Sequence, residues 1–268
     1  MACTWDKVEL GSTGLKSSAI GLASSFGLGA SEVERAFERG INYLYFGSIR
    51  KPDFGRGIAN LAPRHRQDMI VVVQSYTRIA SLMGWSLDRA LRQLRIDYAD
   101  FLLLGWWNDL PPARILDAAR KLQGQGKARH IMISGHQRTS FPKFARDPSI
   151  DAIMVRYNAG HPGAETEVYP HLGSRPIASI AYTATRWGTL LDPASAPPGE
   201  PVPRAADCYR FVLTNPAVNV VMAGPKDRSQ MDEALSALDR GPMSADELAW
   251  MKRVGVNARK KRGWLAGA

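Results

Sequence analysis

Short apolar runs alternate with longer amphipathic stretches along the chain. The runs at 18–23, 41–46, 69–74, 99–104, 129–134, 151–156, 177–182 and 218–223 are rich in Ile, Val, Leu, Tyr and Phe and predict strands. Several are apolar almost throughout, as strands buried on both faces are. Between them, Ser31–Arg39, Ser86–Leu94, Pro112–Leu122, Ser140–Arg146, Arg204–Leu213 and Arg228–Leu238 read as helices. Weaker helical patterns lie at 53–61 and 163–172. Ser86 ahead of Leu87 reads as an N-cap, and Gly124 and Gly126 as glycines closing a helix. Strands and helices alternating at roughly 30-residue intervals predict an α/β fold, a closed (β/α)8 TIM-type barrel. The Gly11–Gly14 turn adds a short N-terminal β-hairpin that plugs the bottom. No Gly-x-Gly-x-x-Gly is present, which argues against a doubly wound dinucleotide fold. The one long loop, 192–204, is rich in proline and small residues, and without a second linker the 268 residues are expected to form a single domain. In such a barrel the chemistry sits on the loops that follow the strands.

Composition adds exclusions more than assignments. Apolar residues at 45% and charged residues at 22% are ordinary for a globular chain and exclude a disordered or fibrous one. The net charge of +10 permits anionic partners without choosing among them. Lys252, Arg253, Arg259, Lys260, Lys261 and Arg262 make the C-terminal end basic; without interleaved aromatics they read as the solvated end of a last helix, not a nucleic-acid surface. Two cysteines, Cys3 and Cys208, make no disulfide framework. With no apolar leader and no run of eighteen apolar residues, a soluble cytoplasmic protein with no membrane partner is expected. No cluster has metal-ligand spacing, and no Gly-x-Ser-x-Gly elbow occurs.

Several segments, in order, resemble the aldo-keto reductase superfamily. They are LGSTGLKSSAIGLA (10–23), AFERGIN (36–42), IDYADFLLL (96–104), GKARHIMIS (126–134), VRYNA (155–159), IAYTATRWGTL (180–190) and NPAVNVVMAG (215–224). The resemblance implies a (β/α)8 barrel that binds a nicotinamide dinucleotide at the C-terminal face and reduces carbonyls, with a tyrosine as acid supported by aspartate, lysine and histidine. This chain departs at each of the four. The aspartate falls on Tyr45, the tyrosine near Arg50, the lysine on Tyr76 and the histidine on Gly105. Arginine stays charged and cannot donate the proton, and glycine offers no side chain. Either the pocket has decayed and the barrel serves packing or partner binding, or it has been rebuilt around Tyr45, Arg50 and Tyr76. In the rebuilt case Arg50 would lower a tyrosine pKa or clamp a carboxylate or phosphate.

The resemblance also implies a cofactor pocket for NADP(H). Ser134 matches a nicotinamide contact, while the amides expected beside it fall on Gly135 and Met154. Tyr182 matches the ring that stacks on the nicotinamide, and Gly188 and Leu190 the loop around the pyrophosphate. Gly224, Lys226 and Gln230 match the residues at the adenosine end, with Arg228 a second phosphate partner. Trp106, Trp107, His136, Arg156, Tyr157 and Trp187 are the candidate walls of a substrate pocket for a flat, apolar or anionic small molecule. Rival functions are a lyase, isomerase or cyclase on the same pocket, or a ligand-sensing or partner-binding barrel without catalysis. The oligomeric state is open.

Overall fold

In the computed structural model, which describes residues 5–265, eight parallel strands close into a barrel. A two-stranded antiparallel ribbon, β1 (Val8–Glu9) and β2 (Lys16–Ser17), precedes it. The barrel strands are β3 (Ile20–Ala23), β4 (Tyr43–Phe46), β5 (Ile70–Ser75), β6 (Ala99–Leu104), β7 (Ala128–Ser134), β8 (Ala152–Arg156), β9 (Ala178–Tyr182) and β10 (Val220–Ala223). Each pairs with its sequence neighbours, and β10 pairs with both β9 and β3 to close the ring.

The period of two sorts the side chains into two cores. Tyr43, Tyr45, Val72, Phe101, Leu103, Met132, Met154, Ile180 and Met222 face inward and fill the barrel. The alternate residues, such as Leu44, Val73, Leu102, Ile133 and Val221, face outward against the helices. Each fully buried apolar side chain contributes about 1.5–3 kcal/mol. Leu10 joins the inner core from the ribbon, so the hairpin closes the bottom as expected. Gly11 makes that turn at φ +55°, and a Cβ there would sit 2.6 Å from the Pro176 carbonyl oxygen; only glycine fits.

The outer layer comprises α1 (Ala30–Glu38), α2 (Pro52–His65), α3 (Ala80–Leu94), α4 (Ala113–Gly124), α5 (Phe141–Arg146), α6 (Ala164–Glu167), α7 (Ala205–Leu213), α8 (Arg228–Leu235) and α9 (Ala245–Leu265). One helix start differs from expectation. Ser86 lies inside α3, not at its N-cap, because the apolar stripe Leu94, Leu91, Ala90, Leu87 continues back to Met83. The pattern at 163–172 resolves into the single turn of α6 and a 3-10 segment, Tyr169–Ser174. Loop 192–204 carries a 3-10 turn at Pro193–Ser195 and is strapped down by α9. Arg253 pairs with Glu200 at 2.8 Å, and the Asn257 amide donates to the Ser195 and Ala196 carbonyls. Lys252, Arg259 and Lys260 are exposed on the same helix. Cys3 and the side chains of Lys261 and Arg262 lie outside the described residues. Cys208 is buried, which pushes its thiol pKa up. No helix among the described residues is long and apolar enough to cross a membrane.

At the bottom, a set of polar side chains ties the strands together. Asn42, Asp100, Asp151 and Asn219 stand at or just before the starts of β4, β6, β8 and β10. Each accepts the backbone N–H of a residue at the base of the preceding strand: Ser18, Val71, Ile131 and Ser179, at 2.8–2.9 Å. Asp100 is 1% exposed and also receives Arg66 at 2.9 Å and Arg129 at 3.4 Å.

Candidate active site

At the opposite, C-terminal end, the inward register carries Tyr45, Gln74, Ser134, Arg156 and Tyr182 to the barrel mouth. A cavity of about 310 Å³ opens there, lined among others by Phe26, Tyr45, Gln74, Tyr76, Trp106, Ser134, His136, Met154, Tyr182, Trp187 and Met222. None of the residues lining it is a carboxylate or a lysine.

Its floor is a tyrosine held by an amide. The Tyr45 hydroxyl donates to Gln74 Oε1 in a short contact. Burial, and then the neighbouring Tyr76, push the Tyr45 pKa well above the usual phenol range. Arg50 does not oppose this. It is exposed and lines a separate shallow depression with Ser48, Thr77 and Arg89, reached past Gln74 and Tyr76. The expected cation beside a tyrosine is therefore corrected: the loop after β4 turns Arg50 outward, and Tyr45 is a neutral hydroxyl.

Gln74 is a residue the sequence reading passed over in favour of Tyr76. Along β5 the inward positions are Ile70, Val72 and Gln74, so the period of two points to it. Its amide also fills the space in front of Gly105, where a Cβ would lie 2.1 Å from Gln74 Nε2. Tyr76, 48% exposed, stands higher on the rim, edge-on to Trp106 at 5.2 Å.

The two tryptophans after β6 part company. Trp106 adopts φ 59° and is 57% exposed over the cavity. Trp107 leaves the cavity and packs on the outer core, with the Arg78 guanidinium 3.9 Å above its ring. Arg78 also donates to the carbonyls of Gly105 and Trp106, so it fixes the loop. The Trp107 N–H donates to the Ser134 carbonyl, and a Cβ on Gly135 would fall 2.1 Å from the Trp107 oxygen. Crowding by this loop accounts for glycine at 135.

His136 follows, its backbone and that of Gln137 bound by Asn108 Oδ1. Its Nδ1 accepts from Arg156 Nη2 at 3.2 Å and lies 3.4 Å from the Tyr182 hydroxyl. Burial and Arg156 both lower the His136 pKa, so the ring is neutral at pH 7. Arg156 stands at the rim, 5.0 Å from the Trp187 ring centre. Burial raises the Tyr182 pKa, with Arg156 opposing it. Tyr157 is excluded from the pocket. One residue beyond Arg156, it faces outward, is 2% exposed, and hydrogen-bonds Glu165 and Asn215 among the helices.

A second groove of about 590 Å³ adjoins the first and shares Phe26, Thr185, Trp187, Tyr209 and Gly224 with it. Gly188, Lys226 and Gln230 line it. Lys226 is exposed and has no ion pair among the described residues, and its backbone N–H donates to Gln230 Oε1. Two expected residues do not reach the groove. Leu190 is fully buried in the outer core, and Leu191 lines the groove instead. Arg228 turns towards Asp232 at 3.8 Å and borders a different depression. The α8 N-terminus carries its own anion, because Asp227 accepts the Gln230 N–H at 2.9 Å. Phe26, set between the cavities against Gly224, was missed: the loop after β3 gave no motif, and its signal was an aromatic in a run of small residues. Among the described residues no cluster could hold a metal ion.

The model of the aldo/keto reductase family matches residues 33–201, more than half of the chain. A curated relative, L-galactose dehydrogenase of Arabidopsis thaliana, is 26% identical over 87% of this chain and 88% of its own length. Among solved structures, an aldo-keto reductase from Bacillus halodurans in its holo form superposes with a TM-score of 0.79 at 20% identity, covering 93% of this chain and 96% of that one. An aldo-keto reductase from Klebsiella pneumoniae in complex with NADPH gives 0.76, also at 20% identity, covering 93% and 95%.

Proposed function

This chain belongs to the aldo/keto reductase family, and from that premise we propose that it binds NADP(H) across the two adjoining cavities and acts on a small carbonyl compound without the family's usual proton-relay residues. The observation that carries this reading is that the two cavities adjoin, sharing Phe26 and Gly224 in their walls, with a lysine that has no ion pair among the described residues at one end and an aromatic floor at the other. Lys226 would hold the 2′-phosphate, Gln230 the adenine, Gly188 and its neighbours the pyrophosphate, and Tyr182 the nicotinamide ring. Ser134 Oγ accepts the Trp106 N–H and keeps its own hydrogen for the carboxamide. When bound, NADPH supplies a hydride.

This chain's residues would shape the other half of the reaction. Tyr76 would present its hydroxyl towards a carbonyl oxygen, and Tyr45 would do so only by giving up its donation to Gln74 Oε1. Burial disfavours the Tyr45 phenolate, so a proton leaving Tyr45 must be replaced promptly, or Tyr76 or a water must provide it.

Titration of the protein with NADPH and NADH, followed by quenching of tryptophan fluorescence, tests the reading. Saturable NADPH binding that weakens in Lys226→Ala supports it; no binding of either cofactor at millimolar concentration refutes it. A second reading is favoured by the engaged Tyr45 hydroxyl and the lack of a charged relay in the cavity lining: a ligand-sensing or partner-binding barrel without turnover. NADPH binding with no turnover of any aldehyde or ketone would favour it. A lyase, isomerase or cyclase would instead transform its substrate with no change in cofactor absorbance.

A further inference from the structure

Among the described residues, the arginines that are at least partly buried fall into two groups with one exception. Arg35, Arg66, Arg138 and Arg210 meet carboxylates. Arg175 and Arg186 donate to backbone carbonyls. Arg156, half-buried at the cavity rim, has neither. It is within 4 Å of no carboxylate among the described residues, and its hydrogen bonds go to a ring nitrogen of His136 and to the Tyr182 hydroxyl. Its Nε is buried without a partner among the described residues. The Nη end therefore stays open at the mouth without a counter-charge, where a bound anion would complete the site.

The surroundings define that anion. Arg156 is not itself a lining residue, but it lies 5.0 Å from the Trp187 ring centre and hydrogen-bonds His136, both of which line the cavity, so it stands directly behind that wall. His136 beside it is neutral at pH 7, so one positive charge is present, matching one negative charge. The cavity beneath is lined by Phe26, Tyr76, Trp106, Trp187, Met154 and Met222, an environment for a flat apolar body. Trp106 and Trp187 both adopt left-handed backbone conformations, at φ 59° and 52°, and stand more than half exposed. Bulky residues are held in that region chiefly where a site needs them.

We propose that Arg156 is the carboxylate-binding residue of this pocket and that the substrate class is a small planar organic monocarboxylate, with its apolar ring system between the tryptophans and its carboxylate on the guanidinium. The proposal rests on reading the cavity as a substrate pocket and names what enters it. Arginine suits a carboxylate because its planar fork meets both oxygens.

Isothermal titration calorimetry with 2-naphthoate and its neutral isostere 2-naphthamide at pH 7.5 tests it on the wild-type protein, Arg156→Gln and Arg156→Lys. Thermal unfolding checks that each variant is folded, and NADPH is titrated into the same samples. The wild type is expected to bind the acid at least tenfold more tightly than the amide. Arg156→Gln should abolish that difference, Arg156→Lys should keep part of it, and NADPH affinity should be unchanged. Equal binding of acid and amide by the wild type would overturn the proposal. So would a loss of NADPH affinity in Arg156→Gln with naphthoate binding intact, which would assign the arginine to the cofactor. Absence of NADPH binding in every sample would refute the cofactor reading instead, whatever naphthoate does.

Discussion

The two ends of this barrel use polar side chains in opposite ways. At the bottom, Asn42, Asp100, Asp151 and Asn219 each hold a neighbouring strand's N–H, and the most buried, Asp100, also receives two arginines. At the top, among the described residues, Arg156 Nε has no partner, Lys226 has no counter-ion, and Trp106, Thr183, Arg186 and Trp187 have left-handed backbones. The contrast is one of degree: at the bottom Arg66 Nε also lacks a partner among the described residues and Arg95 is left-handed, but Asp100, Arg66 and Arg129 there meet opposite charges, whereas Arg156 and Lys226 at the top meet none among the described residues. The difference teaches where each kind of selection acts: one end secures the strands, and the other keeps binding capacity in reserve.

The largest test is at the bottom. Asp100→Ala leaves Arg66 and the Val71 N–H without their buried acceptor and should cost about 3–5 kcal/mol, seen in denaturant unfolding. If the two ends are independent, NADPH affinity of the folded variant is unchanged. Asn42→Ala, with less charge at stake, should cost about 1–3 kcal/mol by the same measurement. A loss at Asn42 as large as that at Asp100 would mean that the strand-capping bond, not the ion pairs, dominates.

At the top, Lys226→Ala should weaken NADPH about tenfold or more and leave NADH nearly unaffected, since one charge-assisted contact is worth about 1.5–3 kcal/mol. Asp227→Asn should act oppositely and more weakly. Removing the carboxylate at the α8 N-terminus should tighten NADPH a few-fold, read in the same fluorescence titration. The smallest effect concerns His136. Its pKa is lowered in the folded protein, so the unfolded chain takes up the proton first as pH falls below about 6.5. That part of the stability is present above pH 6.5 and is lost on acidification. His136→Gln should therefore narrow the gap between melting temperatures at pH 7.5 and 5.5.

The period-two pattern of apolar runs made the barrel legible, and it also carries the inward register at the mouth. That register explains Tyr45, Tyr182 and Arg156, and would have placed Tyr157 outside and added Gln74 to Tyr76, which is two positions on and of the same parity. What it does not carry is the path of the loops. Trp106 and Trp107 are adjacent in sequence, yet a left-handed residue sends one to the cavity and the other to the core. Lys226 and Arg228 are two apart, and an ion pair within α8 draws the second away. Phe26 sits in a loop with no periodicity, so only tertiary placement reveals that it lines both cavities.

The contact between Gln74 and Gly105 couples two neighbouring strands. Because the glutamine amide occupies the room that a side chain at 105 would need, a larger residue there must push the end of the glutamine aside. That end is flexible and its carbonyl oxygen holds the Tyr45 hydroxyl, so the cost of a change at 105 would be felt less as a steric clash than as release of Tyr45 at the cavity floor.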